Sequence, residues 1–183
     1  MRVLRGSTPG DDDFARFVAD RSPRLLRTAW LLTGDAGRAE DLLQTALAVV
    51  WPKWRRIVEG GHPEAYVRRV LVTKFLSWQR RHWRFEVPTE SPPDPTTPAG
   101  DPGGRPEDRS ADRDAIRRAL AGLSRQQRAV VVLRYVEDLS VAETATVLGC
   151  SQATVRVQSG RALAALRLDP HVNARADAEE GVR

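Results

Sequence analysis

A proline-rich segment near the middle of the chain divides the sequence into two parts. Residues 88–110 hold seven of the 12 prolines, together with three glycines. No apolar residues recur there at helical or strand spacing, so the segment cannot bury enough apolar surface to offset the entropy cost of ordering. We predict a flexible, partly extended linker between two small domains, residues 11–87 and 111–168, followed by a loose tail at 169–183.

Apolar residues in the first domain recur every three or four positions, which is the period of one face of an α-helix. The segment 33–35 (Thr-Gly-Asp) can end one helix and then cap the N-terminus of the next. Pro63 suits the first turn of a further helix. Pro23 marks a candidate break, and Pro52 is expected to loosen the last turn of its helix. We predict three helices in this domain, at residues 11–33, 36–54 and 64–83.

The third predicted helix is basic and aromatic, with six basic residues and no acidic one between residues 66 and 84. Arginine side chains neutralise phosphates, and aromatic rings stack on unpaired bases. One stripe of this helix would hold Arg69, Thr73, Ser77, Arg80 and Arg84, with Tyr66 and Trp83 beside it. A solvated helix face is the alternative, with Phe75 and Trp78 as core residues in either case. The lack of acidic side chains favours nucleic-acid contact.

Helix caps in the second domain fall at the spacing of a helix-turn-helix. Ser124 and Ser140 each stand three residues before a Gln or Glu, which is the pattern of a capping box. Gly149 suits the left-handed residue that ends a helix, and Ser151 can cap the next one. Two helices joined by about three residues that include Gly form a helix-turn-helix, with a plain helical hairpin as the alternative.

The second helix of this motif would present its N-terminal half to solvent, where side chains reach base edges and phosphates in the major groove. The candidate DNA-reading residues are Gln152, Thr154, Arg156, Val157, Gln158 and Arg161. Two apolar sets complete the expected core: Ile116, Leu120 and Leu123 on the preceding helix, and Ala145, Leu148, Val155 and Leu163 between the two helices of the motif.

Charge and composition narrow the functional class. Residues 1–88 carry 16 basic and 10 acidic side chains and residues 111–168 carry nine and five, which favours an anionic partner for both domains. Cys150 is the single cysteine, which excludes an intramolecular disulfide and a cysteine-based zinc cluster. The sequence offers no metal-ligand spacing, Gly-rich phosphate loop, Ser-His-Asp order, membrane span or secretory signal. We expect no enzyme activity, metal, cofactor or membrane insertion.

Four motifs resemble conserved regions of bacterial sigma factors, in the same order. Residues 39–47, AEDLLQTAL, resemble the signature of their second region, and residues 66–72, YVRRVLV, open a stretch similar to their promoter-melting helix. Residues 123–130, LSRQQRAV, and the helix-turn-helix at 140–156 resemble their fourth region. The chain is similar to extracytoplasmic-function (ECF) sigma factors of the sigma-70 family, and residues 25–34 further resemble the actinobacterial SigE-like subgroup.

This resemblance implies an all-α fold of two small helical domains, a region 2 bundle and a region 4 helix-turn-helix, joined by the Pro/Gly-rich linker. It implies a cytoplasmic sigma factor that binds core RNA polymerase, recognises the −35 and −10 promoter elements and helps to melt the DNA. The linker would thread toward the active-site cleft and RNA exit channel of the polymerase. Core polymerase and promoter DNA are the implied partners, and an anti-sigma factor is a further candidate.

The resemblance also assigns roles to residues. Docking on the clamp helices of the β′ subunit would use Asp41, Gln44, Thr45, Ala48 and Trp51. Engagement of the −10 element would use Tyr66, Arg69, Thr73, Lys74, Ser77, Arg80, Arg81 and Trp83. The candidate DNA-reading residues of the second domain would contact the −35 element, while the surrounding domain holds the β flap.

Three departures from the pattern of the subgroup, at four positions, bear on the expected promoter preference. Thr73 stands where an Asn usually helps to hold a captured base, Ser124 replaces a Pro, and Val157 and Gln158 replace a Ser-Arg pair. Gln suits adenine where Arg suits guanine, so the preferred promoter sequence is expected to differ. A stand-alone helix-turn-helix regulator and a nucleic-acid-processing enzyme or accessory factor are the alternative functions.

Overall fold

A computed structural model describes residues 9–82 and 106–168, with side chains for 10–78 and 113–168. Within these ranges every regular element is helical, which agrees with the predicted all-α class. The elements are α1 (Pro9–Thr33), α2 (Ala36–Val50), a 3₁₀ turn (Trp51–Lys53), α3 (Trp54–Glu59), α4 (Pro63–His82), α5 (Pro106–Ala121), α6 (Arg125–Val131), a π-helical turn (Val132–Val136), α7 (Val141–Leu148) and α8 (Gln152–Arg167). No helix of the described ranges is long and apolar enough to cross a membrane.

Helix α1 is continuous, so the candidate break at Pro23 is wrong. Proline lacks the N–H that would bond to the carbonyl of Ala19, four residues earlier. Both residues are exposed, so water can satisfy that carbonyl. The predicted stop is confirmed: Gly34 has a φ of 73°, and the Asp35 carboxylate accepts a 2.7 Å bond from the backbone N–H of Arg38.

Helix α2 ends at Val50, so the prediction of one helix over residues 36–54 with Pro52 inside it is wrong. The chain then forms a 3₁₀ turn and α3, which was not predicted. Trp54 is 4% exposed and lies edge-on to Phe14, with ring centroids 5.0 Å apart. Its indole N–H donates a 3.0 Å hydrogen bond to the Asp13 carboxylate on α1. These tertiary contacts, rather than the local sequence, hold the extra helical turns. Helices α1, α2, α3 and α4 form the first unit.

Helices α6, α7 and α8 pack together with the π-helical turn as the second unit, and its predicted caps are confirmed. Ser124 and Ser140 each make both hydrogen bonds of a capping box, Gly149 has a φ of 65°, and the Ser151 side chain accepts from the backbone N–H of Thr154. Helices α7 and α8 pack as the predicted helix-turn-helix.

The core of the second unit differs from the prediction at its edges. Val130, Ala145 and Val155 form a buried cluster that joins α6, α7 and α8. Ala162, rather than Leu163, is fully buried on α8. The expectation for Ile116 is wrong, because its side chain is 44% exposed on α5. Helix α5 also begins within the segment predicted as linker.

The two units pack against each other. Helices α1 and α4 both contact α6, α4 also contacts α7, and α1 also contacts the π-helical turn. Buried side chains from both units, including Leu32 and Leu133, belong to one apolar cluster. The sequence pattern indicated two tethered modules and gave no sign of this contact.

The α7 capping box gives a pH-dependent prediction. Hydrogen bonds from the side chain and backbone of Ser140, with a smaller contribution from Arg68, hold the pKa of the Glu143 carboxyl below its ordinary value of 4.5. A group whose pKa is lower in the folded state stabilises the fold above its unfolded pKa, and this contribution is lost as the pH falls through the folded value. Glu143→Gln keeps a capping side chain without a titrating group. We therefore expect its unfolding temperature to fall less than that of the wild type when the pH is lowered from 5 to about 3. Thermal unfolding at each pH checks this, with Glu59→Gln on α3 as the control, and equal acid sensitivity of Glu143→Gln and wild type would contradict it.

Candidate nucleic-acid interface

Helix α4 buries one face in the first unit and exposes the opposite face to solvent. Val67, Leu71 and Phe75 are at most 3% exposed because they point into the first unit. Residues three to four positions apart share a helix face, so the exposed Arg69 and Thr73 share the opposite side. The basic stripe predicted from the sequence therefore faces solvent along this part of the helix.

A cleft of about 260 Å³ lies between α2 and this face of α4. It is lined by Val49, Tyr66, Arg69, Val70, Thr73 and Lys74. The cations of Arg69 and Lys74, the phenol ring of Tyr66 and the hydroxyl of Thr73 thus line the cleft beside two valine side chains. A cleft with these groups can stack a flat ring, hold an adjacent phosphate and offer one hydrogen bond. Four of the eight residues predicted for −10 contact meet there.

The other four residues predicted for −10 contact do not line the cleft, and the side chains of three of them lie outside the described residues. The Ser77 hydroxyl donates a 3.1 Å hydrogen bond to the carbonyl of Lys74, which directs it toward its own helix. Arg80 and Arg81 lie in the last turns of α4, and their side chains are outside the described residues. Trp83 lies beyond the end of the described part of this helix.

The predicted polymerase-docking residues line one face of the first unit. Asp41, Gln44, Thr45 and Ala48 are all exposed, and their spacing places them on one side of α2. Trp51 continues the line in the 3₁₀ turn, where its ring is 42% exposed and packs on Phe14 at a centroid distance of 4.8 Å. An exposed aromatic ring at the end of a polar helix face is typical of a protein-binding surface.

The candidate reading helix, α8, presents most of its predicted residues to solvent. Gln152, Arg156 and Arg161 are exposed, and the apolar side chain of Val157 is 50% exposed. The Arg156 guanidinium is 3.5 Å from the Gln152 side-chain oxygen, so these two side chains form a pair.

Two predicted reading residues have other contacts. The Thr154 hydroxyl lies 2.9 Å from that of Ser151, so it forms part of the cap of α8. The Gln158 side chain is half-buried at the margin of the exposed face. Both residues flank the reading face rather than occupy its centre.

The outermost line of α8 joins Val157, which was predicted as a reading residue, to three positions that were not predicted. Helical spacing places Ala153, Val157, Gly160 and Ala164 along it, and all four are exposed. A Cβ at Gly160 would have no atom within 4 Å. Glycine is unfavourable inside an exposed helix, and its presence on this face is a sequence signal that could have drawn attention to the position.

No group of three or more potential metal-ligating side chains occurs in the part of the chain that the structure describes.

Family comparisons match both units. The Sigma-70 region 2 model matches residues 17–85, and the Sigma-70, region 4 model matches residues 113–166. The RNA polymerase sigma-E factor of Streptomyces coelicolor is 41% identical over 155 residues, which cover 85% of this chain and 84% of the relative. The ECF RNA polymerase sigma factor SigL of Mycobacterium tuberculosis is 32% identical over 179 residues, which cover 92% and 95% of the two chains.

Solved structures show the same fold. The sigma factor RpoE from Bartonella quintana, determined in complex with the anti-sigma factor NepR, aligns with a TM-score of 0.62 at 23% identity. The alignment covers 85% of this chain and 95% of that one. CnrH, determined in complex with the cytosolic domain of CnrY, aligns with a TM-score of 0.59 at 22% identity and covers 91% and 89%. Both sigma-70 regions, the 41% identity to a sigma-E factor and the two-unit helical fold identify the chain as a member of the ECF group of RNA polymerase sigma factors.

Proposed function

We propose that this sigma factor divides promoter recognition between its two units, with the α4 cleft engaging the −10 element and the outer face of α8 reading the −35 element. The observation that carries the proposal is the meeting of Tyr66, Arg69, Thr73 and Lys74 around one cleft. A stand-alone repressor would bind DNA through α8 alone, and a cleft of this composition on α4 would have no role in that binding.

In the proposed −10 contact, an unpaired base enters the cleft. The Tyr66 ring offers a stacking surface, and stacking on an aromatic side chain is worth roughly 1–3 kcal/mol per base. Arg69 and Lys74 hold the phosphates on either side. The Thr73 hydroxyl can form one hydrogen bond with the captured base, where the longer amide of the usual Asn forms two. Base capture would stabilise the melted strand, while Arg80, Arg81 and Trp83 extend the contact.

In the proposed −35 contact, α8 lies in the major groove. Val157, as an exposed apolar side chain, suits the methyl group of thymine, and Arg156 suits guanine. Arg161 lies on the other flank of the exposed line and is proposed to contact a phosphate. Gln158, at the margin, can reach an adenine edge only if α8 tilts toward its side.

Docking on core RNA polymerase is proposed to use the α2 face that ends at Trp51. The second unit would bind the β flap through surfaces other than α8. The polymerase supplies the catalytic chemistry, so we assign no reaction to this chain, and we place its action in the cytoplasm with the polymerase. An anti-sigma factor is a further proposed partner, since the sigma factor RpoE of Bartonella quintana, which shares the fold, is bound to one.

The direct test combines the protein with core polymerase on promoter fragments. We expect specific transcripts and permanganate-reactive −10 thymines only when both proteins are present. Arg69→Ala should lower that reactivity and reduce the salt slope of open-complex formation by about one, because one phosphate contact is lost.

Arg55→Ala removes an arginine that is 92% exposed on α3 and does not line the cleft, and it serves as the matched control. Equal thymine reactivity and salt slope in both variants would remove the cleft from the mechanism, and tight promoter binding without polymerase would contradict the sigma assignment.

Gly160 provides a test of the reading face. Gly160→Ala should stabilise the free protein by about 0.5–1 kcal/mol, because alanine favours the helix and its methyl group meets open space. The same methyl group should weaken −35-dependent promoter binding if the groove wall approaches α8 there. Gly37→Ala, at an exposed position in α2, should stabilise the protein without changing the −35 contribution. Unchanged −35 affinity in a stabilised Gly160→Ala variant would exclude close approach at this position.

A further inference from the structure

The apolar side of the α4 cleft is built by two helices. Val49 lies on α2 and Val70 on α4, and both side chains are half-buried where these helices pack together. Val70 and the neighbouring Tyr66 ring also pack against the apolar core. Because packed helices hold these side chains, the apolar surface is formed before any ligand enters the cleft. The two valines therefore offer a fixed contact for an alkyl group.

The polar side of the cleft is rich in hydrogen-bond donors. Arg69 and Lys74 can only donate, whereas the hydroxyls of Tyr66 and Thr73 can donate or accept. Among the described residues that line the cleft, none has a carboxylate. Within the described ranges, these four side chains form no hydrogen bond or ion pair. The cleft therefore suits a ligand edge that carries carbonyl oxygens, because an amino group would find only two hydroxyl oxygens as acceptors.

The DNA bases differ in these two properties. Thymine carries two carbonyl oxygens, O4 and O2, and a methyl group on C5. Adenine and cytosine carry an amino group at the edge where thymine has a carbonyl, and guanine carries both groups. None of these three bases has an alkyl group. Thymine is therefore the base that matches both the donors and the valines of the cleft.

We propose that the α4 cleft selects thymine, and that Val49 and Val70 determine this selectivity by contacting the thymine methyl group. This inference rests on the proposed function, in which one unpaired base of the −10 element enters the cleft. The Thr73 hydroxyl donates to a thymine carbonyl oxygen while Tyr66 stacks on the ring. The positive charge of the two basic side chains on the flanking phosphates favours carbonyl oxygens over amino groups at the base edge.

The test removes the methyl group from the DNA. Uracil is thymine without the C5 methyl group, so the replacement leaves the hydrogen-bonding edge unchanged. The protein is combined with core polymerase on promoter fragments in which each thymine of the −10 non-template strand is replaced by uracil, one position at a time. We expect one position at which uracil weakens the open complex by roughly three- to fivefold, the effect of one buried methyl group. Cytosine at that position should weaken the complex further, because it lacks the methyl group and adds an amino group.

Protein variants connect this difference to the valines. Val49→Ala and Val70→Ala each remove part of the apolar surface, and each should reduce the ratio of thymine to uracil affinity to less than about twofold. Val58→Ala is the matched control, because Val58 on α3 is 39% exposed and does not line the cleft. It should keep the wild-type ratio. A loss of folded protein lowers both affinities equally and leaves the ratio unchanged, and if one of the two cleft variants does not fold, the other decides.

Two results would overturn the selectivity. One is equal affinity for thymine and uracil at every −10 position in the wild-type protein, and the other is a wild-type ratio that persists in both folded cleft variants. Arg69→Ala distinguishes this failure from failure of the proposed function. If Arg69→Ala lowers the reactivity of the −10 thymines but uracil has no effect, base capture stands and thymine selectivity is wrong. If neither change has an effect, the cleft does not contact the −10 element, and both proposals are wrong.

Discussion

A buried carboxylate shared among two arginines and a threonine fixes how the two halves of this sigma factor meet. Glu137 is removed from water, so its charge must be matched by Arg24 and Arg68 or it would be strongly destabilising. This requirement brings α1 and α4 against the second unit. Together with the apolar cluster that the two units share, this electrostatic constraint sets the position of the α4 cleft relative to α8.

Each proposed recognition surface is carried by a helix whose opposite face is buried. Helix α4 exposes its cleft side because Val67 and Leu71 face the core, and α8 exposes its outer line because Val155 and Ala162 do the same. The side chains proposed to contact the promoter therefore gain their orientation from ordinary apolar burial.

Local features were predictable from the sequence, and long-range features were not. The caps at Asp35, Ser124 and Ser140 and the left-handed Gly149 depend on residues within one turn, so pattern alone identified them. Helix α3 depends on Trp54 contacting a helix more than 35 residues away in the chain, and no periodicity reports that.

The candidate sites follow the same division. The sequence identified the basic side of α4, and four of its residues meet in the cleft. Gln158 was predicted as a reading residue alongside fully exposed ones, because spacing cannot distinguish the margin of a helix face from its centre, whereas burial can. The contacts of Glu137 with Arg24, Thr28 and Arg68 were missed because these partners lie 69 to 113 residues away, and a single acidic residue carries no signal of its own. The most direct measurement of the central claim is the distance between the two units, with donor and acceptor dyes at Arg55→Cys and Leu168→Cys in a Cys150→Ser background. Energy transfer should be high in the free protein, where the units pack together, and should fall when core polymerase and promoter DNA are added together, because each unit then contacts its own promoter element. Equal transfer in both states would contradict the proposed division of promoter recognition between the units.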